Sequence, residues 1–154
     1  MVDRTAASIV IGGNVSAADY ALLIEMIASY DLRTEWEGEP FDPAQRAIGE
    51  ALSLYDQYAA WGRFDRLESW CIDKGLPFVR WCGGYCSQWG SQRLVFTGEG
   101  EPCAYGADDE DELLIGREKV RELGSYEAIQ AYFVAGDFPV PPLRVEGEIS
   151  GAAP

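Results

Sequence analysis

The stretch "FVRWCGGYCSQWGSQRLVF", residues 78–96, sets the narrowest limits on the fold. Three short runs rich in aromatic and β-branched residues are separated by Gly83-Gly84 and Gly90-Ser91. Runs this short are strands rather than helices, and paired glycines return a chain on itself. The pattern predicts an antiparallel meander over 78–97, with Gly83-Gly84 as a two-residue turn. Alternation then places Phe78, Cys82, Tyr85 and Trp89 on one face, and Val79, Trp81, Cys86 and Gln88 on the other. Both faces carry large rings, so Trp81 is exposed unless a second layer covers its side too.

Other segments extend this pattern. "SIVIGGN", 8–14, reads as a strand closed by glycines. Ser16 then caps an apolar helix over 17–30, whose scarcity of polar positions predicts burial on more than one side. "DLRTEWEG", 31–38, alternates as a strand with Leu32, Thr34 and Trp36 on one side and Arg33, Glu35 and Glu37 on the wet one. Asp42, Pro43 and Gln45 form a helix-start signature, and Ile48, Leu52, Tyr55 and Ala59 keep a helical period up to Gly62. A second helix is predicted over about 63–74, stopped by Gly75. "EGEPCAYGA" reads as loop. A helix ending near Leu123 and another capped by Ser125 follow, and "PVPPLRVEGEI" is extended. Residues 150–154 read as a frayed tail. "EGEP" recurs at 37 and 99, but the flanking segments do not match, so it reads as strand-end chemistry rather than duplication.

These elements predict one α+β domain over residues 1–154: an antiparallel sheet of four to five strands, helices mainly on one face. Their order can contain a ferredoxin-like unit.

Charge is the abnormal quantity. Twenty-six Asp and Glu face twelve Lys and Arg, a formal net charge of −14. Nucleic acid and anionic membranes attract the opposite sign, so direct binding to either is not expected. A basic protein surface is the natural complement, although acidity can also serve solubility alone. The N-terminus lacks a signal-peptide pattern and no run approaches the roughly eighteen apolar residues of a membrane helix, so a cytoplasmic location is expected.

Chemistry-bearing motifs are sparse. The chain has no histidine, the usual general base. "IGGN" lacks the Lys and Ser/Thr of a phosphate loop. Cys71, Cys82, Cys86 and Cys103 include no CxxC pair, and the predicted hairpin puts Cys82 and Cys86 on opposite faces. No metal, cofactor or catalytic residue is assigned, and buried free thiols are expected.

"DDEDE", Asp108, Asp109, Glu110, Asp111 and Glu112, stands directly before Leu113, Leu114 and Ile115. It does not fit a calcium loop, which needs acids at alternate positions around a glycine. Two readings stay open: a helix N-terminus, where acids complement the dipole, and a patch facing a cationic partner. Glu35, Glu37 and Trp81 join the five acids as candidate partner-binding residues.

In size, charge and lack of motifs the chain resembles small acidic inhibitors such as anti-restriction and anti-CRISPR proteins, a likeness of composition alone. It implies a non-enzymatic binding module that blocks the basic groove of a nucleic-acid-binding protein, at the extreme as a nucleic-acid mimic. The alternatives are an immunity or regulatory partner of a basic toxin or nuclease, and a small enzyme using Cys or paired carboxylates.

Overall fold

A computed structural model describes residues 3–84 and 90–148. Its centre is a five-stranded antiparallel sheet in the order β3-β1-β4-β5-β6. The strands are β1 (Arg4–Ile11), β3 (Leu52–Ala60), β4 (Phe78–Cys82), β5 (Gln92–Phe96) and β6 (Cys103–Gly106). A separate ribbon pairs β2 (Gly13–Val15) in parallel with β7 (Leu143–Val145). The helices are α1 (Ala17–Ser29), α2 (Asp65–Lys74), α3 (Arg117–Leu123) and α4 (Tyr126–Gly136). Among the described residues no helix is long and apolar enough to cross a membrane.

Strand register sorts the side chains into two faces. Ile9 stands opposite Leu54 and Arg80, and Ile11 opposite Leu52 and Phe78. This face joins Leu23, Met26 and Ile27 of α1 and Leu67 and Cys71 of α2 in the main core. On the other face Ser8 stands between Tyr55 and Trp81, and the row continues through Arg93 to Tyr105. Tyr132 and Phe133 of α4 pack at the β5–β6 end of that face, with Val95, Tyr105 and Leu113. Every pair in this sheet is antiparallel, but one strand separates α1 from α2, three separate α2 from α3 and none separates α3 from α4, so the β-α-β-β-α-β order of a ferredoxin-like unit is not formed.

Several local signals act as read. Ser16 accepts a hydrogen bond from the Asp19 amide (3.1 Å) and Ser125 from that of Ala128 (3.1 Å), capping α1 and α4. Gly75 ends α2 with φ +69°.

The meander exists with different members. Cys82 pairs with Gln92 and Trp81 with Arg93, so β4 runs directly beside β5. The predicted turn partner, Tyr85, and the predicted strand 85–89 lie outside the described residues. Both edges of β4 are filled, by β1 and β5. The third strand is β6, in the segment read as loop.

Three more expectations are corrected. The helix after Asp42 is one 3-10 turn, Pro43–Gln45; the chain then enters β3. Leu52 and Leu54 satisfy a period of two as well as Leu52, Tyr55 and Ala59 satisfy one of 3.6, and pairing along β1 decides between them. Residues 31–38 form turns instead of a strand. Arg33 bridges singly to Tyr55, and its guanidinium donates to the Gly38 carbonyl (2.8 Å), folding the segment back. Helix α1 buries one stripe only, leaving Leu22 46% exposed.

Candidate functional site

The acidic run is neither a helix start nor extended chain. Helix α3 begins later, at Arg117. An Ala107–Leu113 bridge and a hydrogen bond from the Leu114 amide to the Gly106 carbonyl (3.0 Å) close the run into a loop after β6. Asp108 organises it. Its Oδ1 accepts from the amides of Glu110 and Glu112, both at 2.9 Å. This local side-chain-to-backbone bonding competes with helix formation and explains why the acids do not open one. Asp111 adopts φ +61°, a left-handed conformation that Asp tolerates better than most residues.

The loop is pinned from beneath. The Trp81 indole N–H donates to the Asp108 carbonyl (2.9 Å), and the Ser91 hydroxyl to Asp109 Oδ1 (2.7 Å). Arg93, 9% exposed, does most of the fastening. Its Nε meets Asp111 Oδ1 at 2.9 Å, and Nη2 donates to the Asp111 carbonyl. Nη1 donates to the Gly136 carbonyl (2.8 Å) and to Asp137 Oδ1 (3.0 Å), joining the loop to the end of α4. Burial pushes the Asp111 carboxyl above its ordinary pKa, against the pull of Arg93.

Asp109, Glu110 and Glu112 are exposed, Asp109 while also accepting from Ser91. Among the described residues the ion pairs reach only one member of the run, Asp111. Exposed Glu35 and Glu37 lie on the neighbouring turn segment. Between them Trp36 packs on Tyr55 (ring centroids 4.8 Å apart) and edge-on against Trp81 (5.9 Å). The eight candidates thus converge on one row of the sheet, Tyr55–Ser8–Trp81–Arg93, in two roles. Asp109, Glu110, Glu112, Glu35 and Glu37 face outward. Trp81 is covered, at 6% exposure, and with Asp108 and Asp111 it holds the others in place. An open Trp81 hot spot is therefore not present; its ring lies between the two acidic segments.

Sequence reasoning missed Arg93, Ser91 and Trp36. Arg93 left a signal: it shares a face with Val79 and Val95, and a cation in such a row needs a carboxylate close by.

A second buried cation lies on the opposite face. Arg80 Nε is 3.4 Å from Glu68 Oε2, which also accepts from the Phe64 amide (2.7 Å). Burial raises the Glu68 pKa, with Arg80 opposing. Cys71 is fully buried, and burial followed by the Glu68 charge pushes its thiol up to about 12, so it stays protonated at neutral pH. Cys82 is buried and Cys103 exposed. Cys86, expected from the hairpin on the face opposite that of Cys82, lies outside the described residues. No group of three Cys, Asp or Glu among the described residues is placed to hold a metal ion. Comparison with protein-family models, with curated proteins and with solved structures finds no match to this chain.

Proposed function

We propose that the chain is a non-enzymatic, acidic protein-binding module that docks onto a basic surface, in the sharpest version the nucleic-acid groove of another protein, which it blocks as a phosphate mimic. The observation that supports this reading is the construction of the acidic loop. Five consecutive carboxylates repel one another, yet here the loop is held by Asp108, Trp81, Ser91 and Arg93 while Asp109, Glu110 and Glu112 stay exposed. An ordered anionic surface binds with less conformational entropy lost than a flexible acidic tail. Carboxylates at fixed positions can meet Lys and Arg that otherwise hold phosphates, with fast, salt-sensitive association.

The test is capture of basic proteins from a cell extract at low salt, followed by measured affinity for whatever is retained. Neutralising Asp109→Asn, Glu110→Gln and Glu112→Gln together should weaken binding by about tenfold or more and leave folding intact. Raising salt from about 50 to about 200 mM should weaken the wild-type complex steeply. Binding that ignores both changes would refute the proposal.

A further inference from the structure

At the outer edge of β3, where Arg33 bridges to Tyr55, lies a cleft of about 390 Å3. That volume is in the range of roughly 300–1,000 Å3 typical of small-ligand sites. Its shape comes from a β-bulge. Ala7 pairs with Asp56 and Thr5 with Ala59, so Gln57 and Tyr58 together oppose the single residue Ala6. A bulge of this kind re-aims side chains at a strand edge. Tyr58 thereby lines the cleft with Tyr55 and Trp36, whose rings meet at 59° and form a corner. Three carboxylates share the lining: Asp31, Glu37 and Asp56.

Their existing bonds leave capacity unused. Asp31 pairs with Arg33 through one oxygen (3.3 Å), and Arg33 also donates to the Gly38 carbonyl (2.8 Å), fixing the floor. Asp56 Oδ1 accepts from the Tyr58 amide (2.9 Å). Glu37 has no ion-pair partner among the described residues. One guanidinium therefore stands against three carboxylates, and the remaining wall is Tyr30, Trp36, Tyr55 and Tyr58 with Gly38 and Gln57. Aromatic faces beside unneutralised carboxylates attract a cation, and a planar one can stack on indole while forking to carboxylate oxygens.

We infer that this cleft is a binding site for a single arginine side chain, presented by the basic partner. The inference rests on the docking reading above and gives it a specific anchor: the acidic loop supplies the long-range field, and the cleft takes one guanidinium. Partner variants lacking that arginine lose more affinity than variants lacking any one arginine opposite the acidic loop.

The experiment titrates 15N-labelled protein with N-acetyl-arginine methylamide and, separately, with its neutral norleucine counterpart, following the backbone amide signals of Gly38 and Gln57, which line the cleft. The arginine probe should saturate with Kd of about millimolar, and the norleucine probe should not bind. Trp36→Ala should weaken the arginine probe about tenfold. Because Trp36 also packs on Trp81, the exposed Glu37→Gln variant provides a second measure, with an expected loss of about threefold. The triple acidic-loop variant should bind the probe within about twofold of wild type. Equal binding of the neutral probe, wild-type affinity in both cleft variants, or loss of probe binding in the acidic-loop variant would each overturn the inference. Charge-dependent capture of a basic protein without probe saturation overturns the cleft and leaves the docking proposal standing. Probe saturation without such capture does the reverse.

Discussion

Trp81 shows how one side chain can serve a surface it does not reach. Its ring is covered, but its indole N–H holds the Asp108 carbonyl and its edge supports Trp36. Trp81→Phe keeps one aromatic ring but removes the indole donor and the volume of the second ring. The hydrogen bond contributes about 1 kcal/mol net and the lost packing adds to it, so the variant should lose about 1–3 kcal/mol of stability. Amide exchange at Glu110 and Glu112 should quicken as their acceptor, Asp108, loosens, and affinity for a basic partner should fall with no formal charge altered. Unchanged exchange at both amides would show that the indole bond does not order the loop. The position of the acidic run was legible in the sequence; its conformation was not. An acid that accepts from amides just ahead of it is what a helix cap does and equally what a closed loop does, and the distinction lies in whether Arg93 and Trp81 are underneath.

Segments that bonded mainly to themselves were read well, and segments that depend on distant neighbours were not. The caps at Ser16 and Ser125 and the stop at Gly75 involve residues within a few positions, so their patterns suffice. Strand β3 is defined by β1, nearly fifty residues away in the chain, and nothing between 42 and 60 encodes that partner. The β2–β7 ribbon makes a sharper demand. A Cβ added to Gly12 would sit 1.8 Å from the Pro141 carbonyl oxygen, so the two segments approach this closely only because residue 12 is glycine. Gly12→Ala should cost about 1–3 kcal/mol and expose to exchange the Gly13 and Glu146 amides, which donate to the Pro142 and Val15 carbonyls across the ribbon. Retained protection at those amides would mean that the ribbon tolerates the extra carbon.

For the molecule as a whole, charge and burial act in the same direction. Glu68 and Asp111 both have native pKa values above their ordinary ones. In the window between, the folded state holds more protons than the unfolded chain, so the stability linked to these groups is complete below the ordinary carboxylate range and declines as pH rises through the raised values. Repulsion among twenty-six acids has the same sign. The melting temperature should therefore rise as pH is lowered from neutral to about 5, and less so in Asp111→Asn. A melting temperature that falls over this range contradicts the account. Added salt at neutral pH should raise it too, the opposite of its expected effect on a complex. The parallel ribbon carries a different kind of consequence, one of timing. β2 leaves the ribosome well before Leu143, which pairs with it and belongs to the main core. Until that strand emerges, the nascent protein carries an unfilled apolar slot under α1, and a transcript cut short before β7 would yield a product that chaperones and proteases recognise as unfinished.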